Sequence, residues 1–177
     1  MDDRDLVDTL RSGDPRAPGL LIDRFHGAVY GLCFRMMRHR HDAEDLVQET
    51  FLRALGGIAG FDPDRPLRPW LLGIAANRCR TALVRRARLP RPAEAAQDRV
   101  DHRPGLGDPD DLAGELERAL GQLRPEYRIV VTLFHEQALP YEEIAQVIGR
   151  PVGTVKTWLH RARSDLAEAL ARRGVHC

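Results

Sequence analysis

The sequence lacks the features of several common protein classes. Its three cysteines are odd in number and far apart, so they predict neither a disulfide framework nor a metal site. The longest apolar stretch, residues 70–76, is too short to cross a bilayer, so no membrane insertion is expected. An acidic beginning without an apolar core argues against a signal peptide. We therefore expect a cytoplasmic protein with reduced thiols.

Patterns typical of β-strands are also nearly absent, whereas apolar residues recur at helical spacing. One predicted helix spans 20–37. A second runs to Leu55, with Asp42 as N-cap and Gly56-Gly57 as its end. A third spans 69–88, with Pro69 as its first residue. The predicted fold is all-α, with two small helical domains. The C-terminal domain is expected to be a four-helix, winged-helix-like helix-turn-helix unit.

Charge is segregated along the chain, although the net charge is only +1. Residues 65–93 contain eight arginines and no acid, residues 94–117 are mainly acidic, and the chain after Gly149 is basic again. Such segregation predicts a patterned electrostatic surface, the alternative being solvated faces that are charged by chance. The prolines and glycines between positions 90 and 110 predict a flexible linker, which divides the chain into domains 1–89 and 111–177.

The region from Tyr141 to Arg163 has the pattern of a DNA-binding helix-turn-helix. A short helix is predicted at 141–148, Gly149 and Pro151 break it, and a second helix follows from about Gly153. The polar face of the second helix carries side chains that pair with phosphates and base edges. The predicted DNA contacts are Thr154, Lys156, Thr157, His160, Arg161 and Arg163. The alternative is an ordinary helical hairpin with a solvated face.

The motif YEEIA at 141–145, followed by PVGTVK at 151–156 and HRAR at 160–163, resembles the C-terminal domain of extracytoplasmic-function (ECF) sigma factors of the sigma-70 family. In the first half, DAEDLVQETF at 42–51 resembles that family's polymerase-docking helix. Residues 70–78 resemble its helix for the −10 promoter element. The resemblance implies a sigma factor whose partners are core RNA polymerase (β′ and β subunits), promoter DNA and an anti-sigma factor.

The resemblance also assigns a docking face to the helix that follows Asp42. Its outward residues at helical spacing would meet a coiled coil of the polymerase β′ subunit. These predicted polymerase-binding residues are Asp45, Gln48, Glu49 and Leu52. A carboxylate-rich stripe suits an arginine-rich partner helix, and the alternative is a plain solvated acidic face.

The basic third helix and the loop before it would capture the −10 element. Such capture needs stacking on an extruded base and cations on the phosphates. The residues that the resemblance places on this path are Phe61, Arg65, Trp70, Asn77, Arg78, Arg80, Arg85 and Arg86. For Phe61 and Trp70 the alternative is a core position that fixes the start of the helix.

Two residues depart from the family's pattern, and the linker adds a geometric constraint. Trp158 stands where the family has a small or basic residue, and Pro140 replaces the usual capping Ser or Thr. The −35 helix-turn-helix and the −10 helix would bind elements roughly 70 Å apart. A flexible linker of 20 residues averages only about 25 Å. Polymerase must therefore hold the domains apart, and the free chain should bind promoters weakly.

Two other functions are compatible with parts of the pattern. One is a helix-turn-helix regulator that binds DNA without polymerase, although the first half shows no ligand-pocket signature. The other is an enzyme, but no catalytic or cofactor motif occurs, so no catalytic residue and no cofactor are predicted. His39 and His41 beside Asp42 and Glu44 raise the possibility of a metal, but their mixed facing argues against a site.

Overall fold

The computed structural model describes residues 2–88 and 112–172, and all regular structure within them is helical. A 3-10 turn (Ile58–Gly60) follows the third helix, and a π-helical turn (Thr132–Glu136) follows the sixth. The helices are α1 (Asp3–Arg11), α2 (Ala17–Met37), α3 (Arg40–Gly57), α4 (Leu67–Arg88), α5 (Leu112–Gln122), α6 (Pro125–Val131), α7 (Tyr141–Ile148) and α8 (Val152–Ala171). The all-helical prediction is confirmed, and the predicted linker at 90–110 lies outside the described residues.

Helix α1 occupies a segment for which apolar spacing gives no prediction. A capping box begins it, in which the Asp5 amide donates to the Asp2 carboxylate at 2.8 Å and the Asp2 amide donates to Asp5 at 3.0 Å. The Asp3 carboxylate pairs with Arg24 at 2.7 Å and accepts the backbone N–H of Leu67 at 2.8 Å. Helix α1 therefore fixes the beginning of the basic helix α4.

Three predicted helix starts were two or three residues too late, and the first is that of α2, which begins at Ala17 instead of residue 20. Helix α3 begins at Arg40, because the His39 ring caps it and accepts the Asp42 amide at 3.4 Å, so Asp42 lies inside the first turn. Helix α4 begins at Leu67, because the Asp3 carboxylate supplies the acceptor for that amide. Pro69 is therefore the third helical residue, still within the first turn, where its missing N–H breaks no bond.

The helix-turn-helix prediction is confirmed in the second half. Helix α7 covers 141–148, and Gly149 ends it in the left-handed region with φ of +65°. Helix α8 begins at Val152, one residue before the predicted Gly153. Ala138, ahead of α7, also has a left-handed backbone, with φ of +52°. A Cβ in that region is unfavourable, so the connection into the motif is strained.

Most buried side chains of the two halves form one continuous apolar core, and Ala119, Ala169 and Leu170 form a small second cluster. Helix α4 packs on α7, and α2 packs on α6. Gly73 lies at the first crossing, where an added Cβ would be 3.9 Å from the Val147 backbone. Val147 and Ile148 are both buried. The described segments are therefore packed against each other rather than held apart.

Arg128 of α6 joins the C-terminal ends of α2 and α5 around the second contact. Its guanidinium donates to Met36 O of α2 at 3.1 Å, and the remaining acceptors are the α5-end carbonyls of Leu120, Gly121 and Leu123 at 2.9–3.1 Å. These are the orphan carbonyls that a helix C-terminus leaves, and a cation suits them. Burial, with a smaller contribution from Arg38, lowers the pKa of Arg128 to about 10, so it remains charged at neutral pH.

Candidate nucleic-acid and polymerase interfaces

The outer face of α8 has the geometry of a DNA-reading surface. Val155, Leu159 and Ala162 are buried against the rest of the motif, which fixes the opposite face toward solvent. Lys156, Thr157, His160, Arg161 and Arg163 are exposed, and Thr154 is half-buried in the first turn. Trp158, the residue that departs from the family's pattern, is partly buried against the core, so it packs rather than projects.

Aromatic rings rather than carboxylates accompany two of the α8 cations. The rings of Phe134 and Tyr141 stack with centroids 5.2 Å apart. The ammonium of Lys156 lies 5.6 Å from the Tyr141 ring, and the guanidinium of Arg163 lies 5.5 Å from the Phe134 ring. These separations are within the range of cation–π attraction. Neither cation forms an ion pair with a carboxylate in the part of the chain that the structure describes.

Arg163 also affects its other neighbour, His135. The guanidinium lies 3.5 Å from His135 Nε2. Burial, and then the charge of Arg163, lowers the pKa of His135 from its usual value. The lowered pKa favours the neutral form of the ring beside α8.

Five of the seven arginines of α4 and its preceding loop, in contrast, are engaged with described residues. Arg78 pairs with Glu49 at 2.7 Å, and Arg86 pairs with Asp42 at 3.1 Å, so two cations contact acids of α3. Arg65 and Arg80 reach the second half. Arg65 donates to Gln146 Oε1 at 2.8 Å, and Arg80 donates to Asn77 Oδ1 at 2.9 Å and to Ile148 O at 3.2 Å. Arg85 and Asn77 are exposed.

Phe61 occupies the core instead of the expected surface position. Its side chain is only 6% exposed, and its ring packs on Trp70 with centroids 4.6 Å apart. Arg11 of α1 donates to the backbone carbonyl of Phe61 and to that of Ile58, which holds the loop in place. The ring is therefore unavailable for stacking on a base in this conformation. Trp70 is only partly buried, so part of its ring reaches solvent.

The predicted docking face on α3 is open apart from one residue. Asp45 and Gln48 are exposed, and Leu52 is 70% exposed, the highest value among the large apolar side chains that are exposed. Glu49 is the exception, because Arg78 and Arg53 both pair with it. The Leu52 side chain is therefore available for burial by a partner protein, and polar residues flank it.

The two cysteines among the described residues are packed inside the protein. Cys33 and Cys79 are fully buried with their sulfurs 3.9 Å apart, and the contact with Cys33 together with burial raises the pKa of Cys79. A thiol in this state is inert.

No group of three metal-ligating side chains occurs within 2–88 and 112–172. In the same residues no helix is long and apolar enough to span a bilayer.

The fold and these surfaces define a class of protein. It is an all-helical protein with a basic helix in its first half and a cationic helix-turn-helix in its second half. The model of sigma-70 region 2 matches residues 21–89, and that of sigma-70 region 4 matches residues 113–166. Together they cover more than half of the chain. The chain belongs to the sigma-70 family and is a sigma factor of the ECF type.

Individual relatives agree with this assignment. The RNA polymerase sigma-H factor of Pseudomonas aeruginosa is 30% identical over 95% of this chain and 93% of its own length. The ECF sigma factor SigW of Bacillus subtilis is 32% identical over 93% of this chain and 94% of its own length. CnrH, solved in complex with the cytosolic domain of CnrY, has a TM-score of 0.71 and 28% identity over 96% of this chain and 97% of its own. RpoE from Bartonella quintana, solved with the anti-sigma factor NepR, shares the fold with a TM-score of 0.69, at 22% identity over 88% and 98%.

Proposed function

We propose that this sigma factor binds core RNA polymerase through α3 and directs it to promoters that α4 and α8 read at the −10 and −35 elements. The observation that carries the proposal is the exposed cationic face of α8 on a buried helix-turn-helix scaffold. An exposed apolar anchor on a separate helix, Leu52 on α3, supports a second binding surface. We accordingly assign residues 1–89 to the binding of polymerase and the −10 element, residues 90–110 to the linker, and residues 111–177 to the binding of the −35 element.

Run-off transcription with purified core polymerase tests the proposal. The chain should support initiation at a promoter that it activates in cells, and core polymerase alone should not. Failure at every such promoter would leave a regulator that acts without polymerase as the better explanation. Polymerase works in the cytoplasm, so the proposal also places the chain there.

The docking role of α3 can be separated from DNA binding. Leu52→Asp should weaken polymerase binding roughly thirtyfold or more, and lower run-off transcription at limiting sigma factor accordingly, because an interface anchor contributes about 2 kcal/mol or more. The folded stability should hardly change, since Leu52 is 70% exposed. Leu20→Asp is the matched control, because Leu20 is an exposed leucine of α2 outside the proposed face. Equal loss with both variants would contradict docking through α3.

We also propose that an anti-sigma factor controls the chain. The support is the likeness over 96% of this chain to CnrH, which was solved in complex with the cytosolic domain of CnrY. A protein that co-purifies from the native host in fixed stoichiometry should inhibit run-off transcription when added back. A co-purifying protein without that effect would contradict this control.

A further inference from the structure

His135 and Arg163 bring two nitrogen atoms together at the edge of the α8 surface. Arg163 Nη2 lies 3.5 Å from His135 Nε2, and both side chains are exposed. The residues are 28 positions apart in sequence, so the pair depends on how the π-helical turn packs beside α8. A molecule that approaches the exposed face of α8 at this edge therefore meets both groups.

The ring of Phe134 contacts both members of the pair. It meets the His135 ring edge-on, with centroids 4.9 Å apart, and its centroid lies 5.5 Å from the Arg163 guanidinium. The π-helical turn that carries Phe134 and His135 is anchored in the core, because Thr132 and Leu133 are buried there. The two nitrogen atoms are therefore held close together before a ligand binds.

No carboxylate of the described residues forms an ion pair with His135 or Arg163. The acid next in sequence, Glu136, pairs with Arg35 of α2 at 2.7 Å instead. Around the turn lie α2, α6, α7 and α8, and of their described charged side chains only Arg163 contacts the His135 ring. The acids of α6 and α7 that form no ion pair with this ring are Glu126, Glu142 and Glu143.

An anion between the two groups would reverse the preference of His135 for its neutral form. In the free chain, burial and then the charge of Arg163 lower the pKa of His135, since two cations 3.5 Å apart repel each other. A phosphate group can accept from both nitrogen atoms at about 2.7–3.2 Å. Its negative charge would favour the charged ring, and so draw a proton onto His135.

We propose that His135 and Arg163 form a phosphate site at which the DNA backbone beside the −35 element binds together with one proton. The proton comes from solvent and is held on the His135 ring, and no covalent bond forms. The DNA ligand rests on the proposed function, whereas the proton-coupled anion site does not. Phosphate contacts carry no sequence information, so the site adds affinity and pH dependence but no promoter preference.

DNA affinity at this site should rise as the pH falls. Above the pKa of His135 in the DNA complex, the ring is neutral in both states and adds nothing to binding. Below its pKa in the free chain, which lies under the usual 6.5, the ring is charged in both states and the gain is complete. Each unit by which DNA raises this pKa strengthens binding about tenfold.

Fluorescence anisotropy of the full chain with a −35 duplex, between about pH 5 and pH 8 at fixed ionic strength, tests the site. As the pH falls, the unchanged chain should gain roughly three- to tenfold more affinity than His135→Gln. His135→Lys is charged throughout this range, so it should bind well at pH 8 and gain no more than His135→Gln. His41→Gln, at an exposed histidine of α3, is the matched control and should behave like the unchanged chain. His160 is present in all four chains, so its titration cancels in the comparison.

The salt dependence of binding distinguishes a phosphate contact from a change in packing. Between pH 8 and pH 5 the salt slope of the unchanged chain should become steeper, and about 0.9 of that change should be missing in His135→Gln, the value of one phosphate contact. A random-sequence duplex should give the same difference. Nuclear magnetic resonance of the free chain should show a higher pKa of His135 in Arg163→Gln, because the neighbouring charge is removed.

The outcomes separate this site from the proposed function. Equal pH dependence in the unchanged chain and His135→Gln would overturn the site, and so would an equal reduction in His41→Gln. An unchanged pKa of His135 in Arg163→Gln would overturn the pairing of the two groups. Inorganic polyphosphate replaces DNA in a second titration of the same variants. The expected order with polyphosphate, combined with failure of run-off transcription, would support the site and contradict the proposed function.

Discussion

Helices α4 and α8 carry most of the cations that are proposed to touch DNA, but the two sets of cations are held differently. On α8, Lys156 and Arg163 lie over aromatic rings, and His160 and Arg161 make no side-chain hydrogen bond or ion pair with the described residues. On α4, Arg78 contacts a carboxylate and Arg80 contacts the backbone of α7. The proposed −35 surface is therefore preformed, whereas the proposed −10 surface must first give up partners within the chain.

The largest expected effect is on α8. Lys156→Ala and Arg161→Ala should each weaken binding to the −35 element by about 1–3 kcal/mol, the value of a base-edge contact. Stability should not change, because both side chains are exposed. Arg172→Ala is the control, since Arg172 is an exposed arginine at the end of the same helix. Fluorescence anisotropy with promoter DNA measures all three. An equal loss with Arg172→Ala would mean that only general charge matters.

A stability change in the motif can be produced without altering either surface. Ala138→Gly should raise the free energy of unfolding by about 1 kcal/mol, because glycine adopts the left-handed backbone without penalty. Ala167→Gly, on the exposed side of α8, should lower it by a similar amount. Thermal unfolding of both variants gives the comparison. The DNA affinity should be the same for both variants as for the unchanged chain. If the DNA affinity changes together with the free energy of unfolding, the α8 surface is not preformed.

Two α4 variants that each remove one positive charge should weaken DNA binding by different amounts, because only one of the two arginines has a partner among the described residues. Arg85→Ala should cost about 1 kcal/mol of DNA binding and make the salt slope shallower by about 0.9. Arg80→Ala removes one cation too, but it also removes a bond that must break before DNA can bind. Its net loss should be smaller by about 0.5–1.5 kcal/mol. Anisotropy at several salt concentrations tests this order, and a greater loss for Arg80→Ala would contradict it.

Local sequence signals predict the second half better than they predict how the halves meet. The bounds of α7 and the left-handed Gly149 follow from helical spacing and the glycine itself. The fixation of α4 by Asp3 does not, because that bond joins residues 64 positions apart. Phe61 shows the same limit. It stands in a loop of Pro and Asp residues that suggests exposure, and only the tertiary contact with Trp70 places it in the core.

The smallest expected effect tests the aromatic support of α8. Tyr141→Leu removes the ring near the Lys156 ammonium and should weaken DNA binding by about 0.5–1 kcal/mol. Tyr141→Phe keeps the ring and should restore nearly full affinity, because the attraction involves the ring face rather than the hydroxyl group. In a Lys156→Ala background, Tyr141→Leu should have no further effect on affinity. If Tyr141→Leu still weakens binding in that background, Tyr141 acts through the packing of α7 and not through Lys156. The cations of α4 and α8 would then differ in their exposure alone, and the aromatic rings would not orient those of α8.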